Sequence, residues 1–149
     1  LPQFRFMAKA QLFFIPPLGL HLWLAGQIKA GTGEEGDQGR VLEDCAKRLK
    51  VGNHILWFPE GHRSFDGVVK RFKTGAFVAA KQSGVRVVPV AITGTPSVIK
   101  NKSLRYYFKG IRVQITLLPG FLVDGEPKAA AAKAREIVAA QVAVQRARE

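Results

Sequence analysis

Between His54 and Ile92 a short apolar run, a helical segment and a second β-branched run follow one another. That order constrains the fold more than any other feature of the chain. His54 to Phe58 (HILWF) is apolar and stops at Pro59, which reads as a buried strand ending at a turn. Thr74 can cap a helix running through Ala80, with Gly84 closing it. Val85 to Ile92 (VRVVPVAI) is the next strand, and Pro89, with no N–H for the ladder, belongs at an edge or a bulge. Strand, helix, strand makes a βαβ unit whose crossover should be right-handed. The expected class is α/β, a mostly parallel sheet with flanking helices. Ligands gather at the carboxyl ends of strands in such sheets, which points to the turn after Phe58.

The remaining segments fit around that unit. The chain of 149 residues is 47% hydrophobic and 23% charged, suited to one folded domain over residues 1–149 with a real core. Val41, Leu42, Cys45, Ala46 and Leu49 recur at helical spacing between Asp37, a candidate N-cap, and Gly52, a candidate stop. Ile111 to Leu118 alternates as a strand does, and Pro127 to Arg148 reads as a surface-packed helix with Ile137, Val138 and Val142 inward. Pro16, Pro17, Gly19, His21 and Gly26 interrupt the apolar run from Ala10 to Ile28. Its pieces fall short of the roughly 20 residues that a membrane span needs, so a buried or interfacial segment is expected. The chain opens on Leu1 with no charged leader before this run, which reads as a piece with an upstream part missing. The lone Cys45 excludes an internal disulfide and fits a plain core position, as Trp23 and Trp57 do. His21 and His54 read as structural histidines.

Charge is distributed unevenly. The formal net charge is +12, and from Gly61 to Arg112 eleven Lys and Arg accompany a single acid, Asp66. Such a field attracts phosphate-bearing ligands, whether anionic lipid, nucleotide or nucleic acid, and equally describes a solvated basic face. Tyr106, Tyr107 and Phe108 lie amid Lys100, Lys102, Arg105 and Lys109. This interleaving suits a membrane interface, a nucleic-acid surface or a packed loop with a basic rim. The turn itself reads Phe58-Pro59-Glu60-Gly61-His62-Arg63-Ser64. Gly61 permits a positive φ, so backbone N–H groups can converge on an anion, and the Arg63 fork suits two phosphate oxygens at once. Lys73 stands just before the Thr74 cap, where a helix N-terminus would add to the field. An ordinary turn with a surface arginine fits the same residues.

Four ordered elements carry a family resemblance. FPEGHRS resembles the FPEGTRS motif of the lysophosphatidic acid acyltransferase family, with His62 in place of Thr. Phe72-Lys73-Thr74-Gly75-Ala76 resembles its FKxGA element, and Val88 to Ile92 its VPVAI element. Upstream, Lys9-Ala10-Gln11-Leu12, Pro17, Gly19, Gly26 and Ile28 resemble its KxEL and GxI segment, with Gln11 for Glu. Thr32 stands near the place of an arginine that follows GxI, where Lys29 could compensate.

The resemblance implies a glycerolipid acyltransferase-like fold, incomplete at its N-terminus. It also implies acyl transfer from acyl-CoA or an acyl carrier protein to the free hydroxyl of lysophosphatidic acid or a related lysophospholipid, giving phosphatidic acid. The thioester is a co-substrate, and neither cofactor nor metal is implied. Arg63 would hold the acceptor phosphate, Lys73 and Lys9 would add charge, and Gly61 would shape the turn. Glu60 would bind a glycerol hydroxyl or serve as a structural acceptor for turn N–H groups. The family's catalytic His-x4-Asp pair is absent from these residues: Gly26, Pro59 and Gly67 stand five places after His21, His54 and His62. The chain by itself is therefore expected to be inactive. Expected partners are the lysophospholipid, the thioester and an anionic membrane surface, with no nucleic acid. The implied location is membrane-associated on the cytoplasmic face, in a bacterial inner membrane or in the endoplasmic reticulum or plastid of a eukaryote. A non-catalytic module binding anionic lipid or phosphate remains the alternative.

Overall fold

The computed structural model describes residues 3–31, 37–62, 64, 66–95 and 112–147. Tyr106 to Phe108 and their basic neighbours, together with Thr32, lie outside them. The chain divides into two compact units, Leu1–Phe58 with Val78–Val85, and Pro59–Phe77 with Arg86–Glu149.

In the first unit, β1 (Phe4–Ala8) runs through the middle of a three-stranded parallel sheet, between β2 (Ile28–Lys29) and β3 (His54–Leu56). Phe4, Arg5 and Phe6 pair with His54, Ile55 and Leu56, and Met7 and Ala8 with Ile28 and Lys29. The 3-10 turn Ala10–Phe14 and the short helix α1 (Leu18–Leu24) fill the connection from β1 to β2. Helix α2 (Asp37–Lys50) connects β2 to β3, starting on the residue expected to cap it. It ends as expected at Gly52, where Asn53 N–H reaches the Arg48 carbonyl and Gly52 N–H the Leu49 carbonyl. This paired closure satisfies carbonyls that the last turn leaves orphaned. Ile28, Cys45 and Ala79 form the buried centre, with Met7, Val41, Leu42, Ile55 and Trp57 packed against it. Cys45 is fully buried, and desolvation, with the Asp44 carboxylate beside it, pushes its thiol up to about 11. The core placement of Cys45 and Trp57 therefore agrees with their sequence pattern. Trp23 does not, being 71% exposed on α1. His21 is exposed, and the His54 ring lies 5.4 Å from that of Phe4, on the outer side of the sheet.

The second unit is built on an antiparallel pair, β4 (Val90–Thr93) with β5 (Gln114–Leu117), packed by α4 (Pro127–Arg146). Val90 faces Leu117, whereas the isolated bridge beyond it joins Val87 to Phe121, so the β5 side carries one extra residue. That is a bulge opposite Pro89, whose carbonyl still accepts from Leu118 N–H at 2.9 Å. The expected long strand from Val85 is thus cut to four residues, because proline cannot donate to the ladder. Strand, helix α3 (Gly75–Ser83) and strand follow in the expected order. The pairing differs: β3 joins the parallel sheet and β4 the antiparallel one, so no parallel βαβ ladder links them among the described residues. Ala131, Ala134, Val138, Val142 and Gln145 make the buried stripe of α4, while Ile137 is only half-buried. The Gln145 amide donates to Thr116 Oγ1 at 2.7 Å, which ties the end of α4 to β5.

Candidate functional site

The chain leaves β3 through Trp57 and Phe58 and enters a loop that returns on itself at Lys73. Pro59 opens this loop with a fixed φ, and its carbonyl accepts the Lys73 N–H at 2.9 Å, closing the two ends. Inside the closure, Glu60 Oε2 accepts the Lys70 N–H at 2.9 Å. The loop is thus fastened at its neck and again one step inward. Immediately after it the chain becomes α3, whose first turn is marked by Phe77 N–H on the Thr74 carbonyl at 2.9 Å.

A second set of contacts braces the far side. Asp66 Oδ1 accepts the Val68 N–H at 3.0 Å, a bond two residues forward that mimics a backbone turn. The Ser64 hydroxyl lies 2.8 Å from the same oxygen and 2.9 Å from the Val68 carbonyl, and its one proton serves either acceptor. Asp66 Oδ2 meets the Lys70 ammonium at 2.6 Å. The Lys70 ammonium, then the Val68 N–H and the Ser64 hydroxyl, hold the Asp66 carboxyl well below the usual carboxylate range. Arg146, at the end of α4, brings its guanidinium 3.4 Å from the Asp66 carbonyl.

Gly61 adopts φ +71°, the left-handed region that side chains with a β-carbon disfavour. A Cβ there would lie 3.0 Å from Lys73 Nζ and 3.1 Å from its Cε, so the lysine stem crosses directly over the glycine. The loop thereby gathers Glu60, Gly61 and Lys73. Arg63 lies outside the described residues, and its chain neighbours His62 and Ser64 are exposed and half-buried. Glu60 accepts a loop N–H, although the donor is Lys70, ten residues on, and not the adjacent turn. Lys9 belongs to the first unit, where it is exposed and its carbonyl accepts Leu12 N–H at the start of the 3-10 turn.

Sequence reasoning missed the bracing set Ser64, Asp66 and Lys70. The signal was present: Asp66-Gly67 is a turn dipeptide, with a hydroxyl two places before and a cation four places after. Among the described residues no group of three or more His, Cys, Asp or Glu could hold a metal ion. No helix among them is long and apolar enough to cross a membrane.

Comparison with known proteins places this loop in a wider context. The Acyltransferase family model matches residues 1–93, which include the whole loop. A 1-acyl-sn-glycerol-3-phosphate acyltransferase of Chlamydomonas reinhardtii is 38% identical over 96 residues, covering 64% of this chain and 29% of that protein. A chloroplastic enzyme of the same description from Arabidopsis thaliana is 36% identical over 100 residues, covering 67% and 28%. The alpha form from Mus musculus is 32% identical over 120 residues, covering 80% and 42%. The chain therefore spans less than half the length of these relatives. Among solved structures, the 1-acyl-sn-glycerophosphate acyltransferase PlsC from Thermotoga maritima superposes with a TM-score of 0.79 at 28% identity. That match covers 99% of this chain and 58% of PlsC.

Proposed function

The chain belongs to the acyltransferase family, and from that membership we propose that its braced loop is the acceptor-phosphate site of an enzyme acylating lysophosphatidic acid. The observation carrying this reading is the loop Pro59–Lys73, closed at its neck and held open on its cationic side by Gly61. In the proposed reaction the acceptor hydroxyl attacks the carbonyl carbon of an acyl-CoA or acyl carrier protein thioester. The new C–O bond forms as the C–S bond breaks, and the hydroxyl proton passes through a general base to the departing thiolate, which leaves as the thiol. A thioester is already activated, so positioning of the two substrates supplies much of the acceleration.

This chain's own part is binding and orientation. Lys73 supplies a cation beside Gly61, and Arg63, two residues after Gly61 in the sequence, supplies a planar fork matched to two phosphate oxygens. The PlsC and 1-acyl-sn-glycerol-3-phosphate acyltransferase relatives support lysophosphatidic acid as the acceptor, and phosphatidic acid is then the product. No cofactor enters this scheme, and the lipid acceptor places the work at a membrane surface, on the cytoplasmic face where the thioester is available.

Calorimetric binding of lysophosphatidic acid and of the matching monoacylglycerol, both below their micellar concentrations, tests the reading. The phosphate-bearing lipid should bind and the phosphate-free one should not. Equal binding of the two removes the acceptor-phosphate assignment. Phosphate-dependent binding that persists in a full-length protein without acyl transfer would identify the non-catalytic module instead.

A further inference from the structure

The apolar side chains of the first unit are not all spent on its core. Leu20, Trp23 and Leu24 are 60%, 71% and 70% exposed, and their spacing of three and four puts them on one face of α1. Phe14 (76%) and Ile15 extend the exposed apolar surface at the end of the preceding 3-10 turn. The segment itself is fixed in place. Gly19 is buried, its N–H bonds the Ile15 carbonyl at 2.6 Å, and a Cβ on it would collide with the Phe13 carbonyl. These side chains therefore project from a rigid base.

Large contiguous apolar surface on a folded domain marks an interaction site. The charges around it select the partner. From Leu1 to Gly31 the sequence holds Arg5, Lys9 and Lys29 and neither Asp nor Glu. Lys29 Nζ sits 5.3 Å from the centroid of the Phe14 ring, so a cation stands at the edge of the apolar patch. Trp, Phe and Leu beside lysines, with acids excluded, is the composition of a segment that lies in a bilayer interface. A second copy of a chain carrying +12 would be repelled, and a nucleic acid would leave the exposed Leu20, Leu24 and Ile15 without an apolar partner. At seven residues α1 cannot span a bilayer, only lie in its surface.

We propose that the outer face of the 3-10 turn and α1 is the lipid-docking surface, seating Trp23, Leu20, Leu24 and Phe14 in the headgroup region of an anionic bilayer. The inference rests on the lipid acceptor proposed above and assigns the membrane contact to this face of the first unit.

The chain holds two tryptophans, so a Trp57→Phe variant leaves Trp23 as the reporter. Vesicles of equal parts phosphatidylcholine and phosphatidylglycerol should shift its emission to the blue. Bromine placed high on the acyl chains should quench it, and pure phosphatidylcholine should do much less of both. Since Trp57 packs on the core, the reciprocal Trp23→Phe variant serves as a second readout, and it should abolish the shift seen in the wild type. Leu20→Asp with Leu24→Asp, both exposed, should weaken vesicle partition by roughly tenfold or more per leucine. Sedimentation with vesicles while Trp23 stays unshifted and unquenched would show docking through another face and overturn the proposal, as would failure to bind. A shift that grows with protein concentration without lipid would mark self-association and overturn it too. Lysophosphatidic acid binding below its micellar concentration is read separately, so loss of that binding removes the acceptor site while leaving the docking result intact.

Discussion

The Lys73 side chain passes over Gly61 so closely that a β-carbon on the glycine would sit 3.0 Å from Nζ. Two requirements therefore meet at one position, a left-handed backbone and an open path for a cation. Gly61→Ala would impose about 1–2 kcal/mol of backbone strain and displace the ammonium. The expected result is a lower melting temperature together with weaker lysophosphatidic acid binding. Unchanged affinity in a folded Gly61→Ala protein would show that Lys73 does not contact the phosphate.

Arg63→Lys should be nearly as damaging as Arg63→Ala, because an ammonium cannot copy a paired guanidinium contact. A lost charged hydrogen-bond pair corresponds to roughly 1.5–3 kcal/mol, or about a ten- to hundredfold rise in acceptor KM in the full-length enzyme. The KM for the thioester should move much less. A marked fall in melting temperature with an unchanged acceptor KM would make Arg63 a scaffold residue and pass the phosphate to Lys73.

Asp66 and Lys70 offer a pH test. The folded-state pKa of Asp66 is depressed, so its bracing is complete above the unperturbed carboxyl value of about 3.9 and is lost as pH falls below it. Asp66→Asn keeps an acceptor for the Val68 N–H and removes the charge opposite Lys70. The melting-temperature gap between wild type and variant should be steady from about pH 5 to 8 and narrow below about pH 4. Because the pair is exposed, the gap should be small and should shrink with added salt. A gap independent of pH down to acid unfolding would assign the effect to altered loop geometry.

None of the three histidines precedes an aspartate by five places, and His62, four before Asp66, is exposed in a loop whose aspartate is committed to Ser64, Val68 and Lys70. The 149 residues assayed alone with acyl-CoA and lysophosphatidic acid should give no thiol release above background. Turnover comparable to that of a full-length relative would mean that the base lies within this chain, with His62 the first candidate for substitution.

Local chemistry made much of this protein legible in its sequence. Gly52 and Gly84 end their helices where a glycine after a periodic apolar run indicates, and Pro89 sits at a bulge because a residue without an N–H must. The α/β class, the inward Val138 and Val142 of α4 and the loop after Phe58 follow from periodicity and turn residues, which act over a few positions, whereas the strands β1 and β2 carried no such signal. Partner choice among strands did not follow. Whether β4 pairs with β3 or β5 depends on which backbone edge is brought beside it, and hydrophobic pattern is the same for either neighbour. Burial was likewise decided in three dimensions. Trp57 packs on the core and Trp23 points outward, because helical rotation about the buried Gly19 fixes which side chains of α1 face away. The roles of Glu60 and Asp66 also waited for the fold. A carboxylate ten residues from its N–H partner, or one that serves a hydroxyl, an amide and an ammonium together, acquires those partners only when the loop closes at Pro59 and Lys73.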